Sequence, residues 1–313
     1  MKKIFIPLML LVIFISILNL DTITLQFESI LGLKQAIHYE ITNKIDDFYY
    51  VQKTNDFMPL SKGDLKNIFY TLISNGNDAF TFYCPKEYEL CFEDVKTLTQ
   101  DQETLTHINN FIHPYYNFSE IKTTIYESGE VNVTVSYLYT EKMILEIEDY
   151  VNDYLKKNIT NEMDLYEKIK TIHDYIINNT KYDVERNEKG DSKYQSYLAY
   201  GAIFEGYATC NGYTDIMAIF LSKLGIKNYK IATDMTIDEI LVGHVWNAVY
   251  VDSKWLHLDL TWDDPVASDG KDYLQHHYFL IDDEQLIEVD SGEVNVNEHN
   301  YPRHIYLEFK KAT

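Results

Sequence analysis

The spacing of apolar and polar residues predicts a mixture of helices and strands in the first half of the chain. Residues 64–74 and 101–112 carry apolar side chains at helical spacing, and residues 79–83 form a strand candidate between them. Residues 120–127 and 131–139 flank a glycine, and the second run alternates valines with polar residues. This pair of runs therefore predicts a β-hairpin.

Helical spacing is clearest in the second half. A helix is predicted after Asn161 and up to about residue 178, with Asp164 as a capping partner. A polar stretch that contains a glycine, residues 185–195, predicts a surface loop. A second helix is predicted over residues 210–224, because a glycine stands just past its last apolar position.

Three β-rich runs follow that helix. Residues 229–233, 244–251 and 255–260 are rich in aromatic and β-branched residues, and the last two runs flank Asp252 and Ser253. A two-residue turn of this kind joins antiparallel strands. The second half therefore predicts helices packed on an antiparallel sheet.

Composition and charge indicate a globular protein and exclude one kind of partner. The chain of 313 residues is 46% hydrophobic and 24% charged, which is typical of a globular protein large enough for two domains. The elements predict an α+β fold, with a separate N-terminal α+β region of unknown role over residues 30–150 and a second domain over residues 155–313. The formal net charge of −22 repels phosphate backbones, so nucleic acid is excluded as a partner.

The N-terminus predicts export. Lys2 and Lys3 precede an uncharged run from residue 4 to residue 20. Because no small-residue cleavage site follows, we favour an uncleaved membrane anchor over a cleaved signal peptide for residues 1–22. The lysines would keep the N-terminus in the cytoplasm and place the remainder outside, in the cell envelope or the extracellular space. This segment is the only contact with a membrane that the sequence predicts.

The chain contains three cysteines. In an exported protein Cys84 and Cys91 could close a small disulfide loop, which leaves Cys210 as an odd thiol. The alternative is that all three are reduced core residues. An odd thiol in an exported chain raises the question of reactivity.

Cys210 falls at the predicted start of a helix. The positive end of the helix dipole favours a thiolate there, and the first N–H groups could stabilise a developing oxyanion. Gly206 and Gly212 would let backbone or substrate approach closely. The competing interpretation of a single cysteine at a helix start is a small buried residue.

Two residues of the predicted hairpin could complete a catalytic set. With a two-residue turn, His244 lies across from Thr261, and Asp259 is its diagonal neighbour, roughly 7 Å away between backbones. A longer turn or a bulge would place them on opposite faces. His257 is the alternative base, and either histidine could instead be a packing residue. A carboxylate in an apolar strand, by contrast, needs a partner.

These residue types fit covalent catalysis. Asp259 would fix the tautomer of the His244 imidazole and stabilise its protonated form. His244 would then deprotonate Cys210 and later protonate a leaving amine.

Five short motifs of the second half follow one another in a recognisable order. They are Ile172 to Ile176 with Tyr182-Asp183, Cys210-Asn211-Gly212-Tyr213, His244-Val245-Trp246-Asn247, Leu258 to Pro265, and Tyr278-Phe279-Leu280. On these motifs, residues 160–285 resemble a bacterial transglutaminase-like domain of the papain-like cysteine-enzyme superfamily. The intervals of 34 residues from Cys210 to His244 and 15 from there to Asp259 fit that family.

The resemblance implies a fold and a site. The fold is a helical lobe plus an antiparallel sheet, with a cleft between them. Cys210 corresponds to the nucleophile, His244 to the base and acid, and Asp259 to the residue that orients the imidazole. Trp246 and Trp262 correspond to residues that line the cleft or pack the core. No cofactor or catalytic metal is implied.

Three functions stay open at this point. The first is thiol-dependent acyl transfer at peptide or glutamine carboxamide carbonyls of envelope or extracellular proteins. The second is a cysteine peptidase or amidase that uses water as acceptor, and the third is a non-catalytic binding or scaffold module. A metallohydrolase is disfavoured, because His276 and His277 are adjacent and no His-Glu-x-x-His motif occurs. The resemblance also implies a second oxyanion donor upstream of the cysteine, with Gln195 and Tyr200 as candidates.

Overall fold

The computed structural model describes residues 48–233, 236–237, 240–241, 243–265, 273–292 and 299–306. The predicted export segment, residues 1–22, lies outside these described residues. Among the helices that the structure describes, none is both long enough and apolar enough to cross a membrane.

The first half folds as helices around a small antiparallel sheet. Its elements are α1 (Lys62–Ser74), β1 (Ala79–Tyr83), α2 (Cys91–Gln100), α3 (Gln102–Asn110), a 3-10 turn (Pro114–Tyr116), β2 (Phe118–Ile125) and β3 (Glu130–Tyr137). The strands pair in the order β1-β3-β2. Cys84 and Cys91 form a disulfide that ties the loop after β1 to the start of α2.

The predicted hairpin of the first half is confirmed. Strands β2 and β3 pair antiparallel, and Val131, Val133 and Val135 are buried while their neighbours are more exposed. The helix predicted over residues 101–112 is shorter, because the side chain of Asp101 caps α3 by accepting from the Thr104 N–H. Helix α2, which precedes it, was not predicted.

The second half consists of helices packed on a four-stranded sheet. Its elements are α4 (Glu141–Asn158), α5 (Leu165–Asn179), β4 (Lys181–Tyr182), α6 (Val184–Lys189), a π-helical turn (Gly201–Glu205), β5 (Tyr207–Ala208), α7 (Cys210–Lys223), β6 (Asn228–Ala232), β7 (Thr236–Ile237), β8 (Ile240–Leu241), β9 (Val245–Val251), β10 (Lys254–Leu258), α8 (Leu260–Asp263), β11 (Phe279–Ile281) and α9 (Asp283–Gly292). The larger sheet has the order β11-β10-β9-β6 and is antiparallel.

Strands β9 and β10 form the hairpin that the sequence predicts. Asp252 and Ser253 have φ angles of 49° and 65°, so both central residues of the turn are left-handed, as a two-residue hairpin turn requires. The register pairs Leu258 with Asn247. The pairing ends there, because Asp259 caps the helix α8, so Thr261 is helical and is not a strand partner of His244 as predicted.

Two local predictions need correction. Asp164, not Asn161, is the N-cap of α5: it accepts from the Glu167 N–H, and the Glu167 side chain accepts from the Asp164 N–H. Part of the loop predicted over residues 185–195 is helix α6, which Gly190 ends in a left-handed conformation.

The four-stranded sheet lies between two hydrophobic cores. Along β9, Trp246 and Ala248 pack with side chains of the first half, such as Phe69, whereas Val249 and Val251 pack with apolar residues of α5 and α7. This alternation is what a strand buried on both faces requires. The N-terminal half therefore packs directly on the sheet that carries the candidate active site.

A buried network around an ion pair of the second half also joins the two halves. Lys230 Nζ on β6 lies 3.2 Å from Asp215 Oδ1 on α7 and donates to Asn117 Oδ1 at 2.8 Å. Asp215 Oδ2 accepts from the side-chain amide of Asn117 at 2.7 Å and from the Tyr139 hydroxyl at 2.8 Å. The Lys230 and Asp215 side chains are only 4% and 1% exposed. A buried network of this kind is stable only while each charge keeps its partner.

We expect Asp215→Asn to lower the free energy of unfolding by about 3 to 5 kcal/mol, because the Lys230 ammonium then stays buried without its counter-charge. Urea denaturation followed by circular dichroism measures the change. The matched control is Lys189→Ala, which breaks an exposed pair with Glu185 and should change stability far less. Similar effects of the two substitutions would contradict the importance of the buried pair.

Candidate active site

Cys210 is the first residue of α7, and its thiol is half-buried and not part of a disulfide. Thr209, the N-cap, is extended, and its N–H donates to the Ser196 carbonyl at 2.8 Å. This bond ties the start of α7 to the preceding segment. The first N–H groups of a helix have no acceptor within it, so those at Cys210 are placed to stabilise negative charge on a bound carbonyl.

Gly212 allows this close packing. A Cβ at Gly212 would lie 2.3 Å from the Ser196 carbonyl oxygen. The close approach predicted at Gly212 is therefore made by the protein's own backbone and not by a substrate. Gly206, with a φ of 72°, ends the π-helical turn just before β5.

His244 directly precedes β9 and is buried. Its N–H donates to Thr233 Oγ1 at 3.0 Å, and its carbonyl accepts from the Thr233 N–H at 3.0 Å. The imidazole stacks on Trp246 with 5.7 Å between ring centroids. These contacts fix the ring at the end of the sheet that lies beside α7.

Asp259 follows β10 and has two tasks. Its Oδ1 accepts from the N–H groups of Thr261 at 2.9 Å and Trp262 at 3.2 Å, which caps α8. Its Oδ2 lies 2.5 Å from Nε2 of His244. The carboxylate is thus held by the turn that follows it while it orients the imidazole.

The charges of this pair stabilise each other. Burial opposes ionisation of Asp259, but the attraction of His244 and hydrogen bonds from two histidines hold the pKa of this carboxyl well below its usual range. Burial would lower the pKa of His244, yet the attraction and hydrogen bond of Asp259 raise it well above its ordinary value. The imidazolium is therefore favoured at neutral pH, beside an ionised carboxylate.

The thiol of Cys210 lies near the same imidazole, away from Asp259. The Cys210 thiol lies close enough to the imidazole to help raise the pKa of His244. Because Nε2 of His244 donates to Asp259, Nδ1 is the nitrogen left for the sulfur. The structure thus brings the three predicted residues together, with the sulfur beside an imidazole whose positive charge favours a thiolate.

A fourth residue of this chain was not predicted. His299 Nε2 lies 2.9 Å from Asp259 Oδ2, and its Nδ1 lies 2.8 Å from Asp290 Oδ1. The sequence around His299 is polar and shows no helical or strand periodicity, so no local pattern could have assigned it to the site.

His257, the alternative base, is engaged elsewhere. Its Nδ1 accepts from Nε1 of Trp246 at 2.9 Å, and its Nε2 lies 3.1 Å from Asp283 Oδ1. Trp246 is only 1% exposed and supports the His244 ring from the core. Trp262 packs partly buried against the same core, and a place for it in the cleft wall stays a prediction.

Two further carboxylates of the same motif anchor it to the helices. Asp263 Oδ1 accepts from the Tyr278 N–H at 3.0 Å, and its Oδ2 lies 3.2 Å from Nε2 of the buried His173 on α5. Asp264 accepts from the hydroxyl of Tyr213 on α7. These contacts hold the segment that carries Asp259 against the helices behind it.

The two candidates for a second oxyanion donor lie in different places. The Tyr200 side chain lies near Glu146 on α4, and its ring packs on Phe204. Gln195 directly precedes Ser196, whose carbonyl accepts from the N-cap of α7. The contacts therefore favour Gln195, whose role stays a prediction.

A cleft of about 410 Å³ lies beside His244, between α7 and the N-terminal half. Elements α3 and β2 of that half form one wall, and Gly243, His244 and Asn211 belong to the other. Much of the lining consists of hydroxyl and amide side chains, namely Gln102, Thr106, Asn109, Ser119, Asn211 and Thr233. Such a lining can hydrogen-bond a polar chain, such as a peptide.

Within the part of the chain that the structure describes, two groups of side chains have donor atoms close enough to share a cation. They are His244 with Asp259 and His299, and His173 with Asp174 and His276. In the second group, Lys170 Nζ already lies 2.8 Å from Nε2 of His276 and 2.5 Å from Asp174 Oδ2. In the first group the same donor atoms bond one another across Asp259. Both groups thus form complete hydrogen-bond networks.

Comparisons with known proteins concern mainly the second half. Residues 144–260, which include Cys210, His244 and Asp259, match the family model of the transglutaminase-like superfamily. No curated protein is detectably similar in sequence.

Three solved structures show a weak similarity to part of the chain. A TGase is 17% identical, with a TM-score of 0.33 over 46% of this chain and 44% of that chain. A candidate cysteine protease from Cytophaga hutchinsonii is 16% identical, with a TM-score of 0.30 over 50% and 65% of the two chains. A candidate protease from Parabacteroides distasonis is 12% identical, with a TM-score of 0.29 over 50% and 41%. The match spans less than two thirds of each of these three chains.

Proposed function

We propose, from the transglutaminase-like domain at residues 144–260, that this protein catalyses thiol-dependent acyl transfer at peptide or glutamine carboxamide carbonyls. One observation carries the proposal: a half-buried thiol at a helix start lies near an imidazole whose Nε2 is 2.5 Å from a buried carboxylate. A sulfur so placed is ready to lose its proton and attack a carbonyl carbon.

The proposed reaction has two halves. In the first, the Cys210 thiolate, beside the protonated His244, bonds the carbonyl carbon, while N–H groups at the start of α7 stabilise the oxyanion. The carbon–nitrogen bond then breaks, and His244 returns the proton to the leaving amine or ammonia, which leaves a thioester on Cys210. In the second half, water or a primary amine gives a proton to His244 and attacks the thioester, and the sulfur leaves.

The surroundings of the site support a peptide substrate outside the cytoplasm. The cleft beside His244 is lined by hydroxyls and amides that suit the hydrogen-bonding groups of a polypeptide. The disulfide between Cys84 and Cys91 fits an oxidising compartment. Together with the predicted export segment over residues 1–22, these features support envelope or extracellular proteins and peptides as partners.

An assay with two readouts tests the proposal. The full chain is incubated with casein and a fluorescent primary amine, and both incorporation of the amine and cleavage of casein are measured. Incorporation supports acyl transfer to amines, and cleavage without incorporation supports the peptidase or amidase alternative. Failure of both would overturn the proposal and favour a non-catalytic binding module.

A further inference from the structure

We infer that His299 is a positioning residue of this site, a buried cation that holds the Asp259 carboxylate and offsets part of its charge at His244. The inference rests on the proposed function for its catalytic consequence, but the charge of His299 can be measured without any activity.

The contacts of His299 place it directly behind Asp259. Its Nε2 lies 2.9 Å from Asp259 Oδ2, the same oxygen that lies 2.5 Å from Nε2 of His244. Its Nδ1 lies 2.8 Å from Asp290 Oδ1. The side chain is 0% exposed, so solvent cannot replace either partner.

These two contacts require two ring protons. A carboxylate accepts hydrogen bonds, and a neutral imidazole has only one N–H to donate. Both ring nitrogens of His299 face carboxylate oxygens, so both contacts are favourable only if each nitrogen carries a proton. His299 is therefore an imidazolium between two carboxylates.

The surroundings preserve this state. Among the described residues, the titratable groups that face His299 are Asp259, Asp290, His244, Tyr278 and, more distantly, His257. Burial lowers the pKa of His299, and the nearby charge of His244 lowers it further. The hydrogen bonds to Asp259 and Asp290 outweigh both effects, so the pKa of His299 is raised. Tyr278 stacks on the ring at 4.9 Å and donates to Asp290 Oδ1 at 3.2 Å.

A cation in this position limits how tightly Asp259 holds the protonated form of His244. The two imidazole centroids are 5.4 Å apart, so the charge of His299 opposes a second positive charge on His244. Without it, Asp259 would stabilise the His244 imidazolium more strongly. The return of the proton from His244 to a leaving amine would then become harder, because general acids work best when they release protons easily at the working pH.

Histidine NMR of the full chain tests this inference. In the His299→Gln variant, which keeps an amide donor near Asp259, we expect the titration midpoint of His244 to move up by about one pH unit. The matched control is His173→Gln: His173 is equally buried between two carboxylates, Asp174 and Asp263. The control should leave the His244 midpoint in place, and equal midpoints in both variants would overturn the inference.

A second measurement needs no substitution. In the unmodified chain labelled with nitrogen-15 histidine, both ring nitrogens of His299 should carry protons at neutral pH. A neutral tautomer of His299 would overturn the inference even if the variants failed to fold. If amine transfer is detected, His299→Gln should also lower kcat while leaving KM unchanged. If the chain shows neither transfer nor cleavage, the proposed function fails, while the two NMR results still decide the charge of His299.

Discussion

Replacing Cys210 by alanine is expected to abolish both amine incorporation and casein cleavage, with a loss on the order of 10⁶-fold in kcat. The substitution removes the sulfur that the proposed thioester requires, while the small, half-buried side chain makes few packing contacts that alanine would lose. Single-turnover assays with the full chain, together with circular dichroism to confirm folding, measure the effect.

The other two cysteines provide the control. A double variant with Cys84→Ser and Cys91→Ser breaks the disulfide of the N-terminal half but keeps the thiol, imidazole and carboxylate. It should lose stability and retain activity. If Cys210→Ala instead kept more than about a tenth of the original rate, the sulfur could not be the nucleophile.

The second large effect is expected for Asp259→Asn, with a loss of about 10⁴-fold in kcat. Two backbone N–H groups donate to Oδ1, so the side-chain oxygen of asparagine would stay there and its NH₂ group would take the place of Oδ2. That NH₂ group would face Nε2 of His244, which must then become an acceptor. The proton of a neutral His244 would move to Nδ1, which could no longer accept the proton of Cys210.

Asp263→Asn is the matched control for that variant. Asp263 is also buried and follows Asp259 by four residues. It also pairs with a histidine, but that histidine is His173 and not His244, the residue beside the thiol. It should destabilise the protein while kcat stays within about tenfold of the original value. Comparable kcat losses in the two variants would indicate a general structural effect and not a tautomer effect.

Local signals in the sequence predict the main parts of the site. The helix start at Cys210 follows from apolar spacing and the glycine after the helix. The approach of His244 to Asp259 follows from the two-residue turn, because turn length fixes the register of a hairpin and so decides which side chains share a face. The motifs that resemble the transglutaminase-like family lie on these same elements.

Other parts depend on contacts between distant segments. His299 reaches Asp259 from a polar stretch near the end of the chain, where no periodic pattern marks a buried residue. Lys230 pairs with Asp215 and Asn117 across both halves, although a lysine in a strand usually indicates a solvent-facing position. Helix α4 was not predicted, although Ile144, Ile147 and Val151 are its buried residues at helical spacing.

The rate at which iodoacetamide alkylates Cys210 near neutral pH tests the activation of this thiol most directly. Mass spectrometry of the peptide that contains Cys210 measures this rate in the full chain and in the His244→Gln variant. We expect the full chain to react faster than a simple thiol such as N-acetylcysteine, because the His244 imidazolium stabilises a thiolate. The variant should lose that advantage. Equal rates in the full chain, the variant and the simple thiol would show that the sulfur is not activated and would contradict a catalytic role for these three residues.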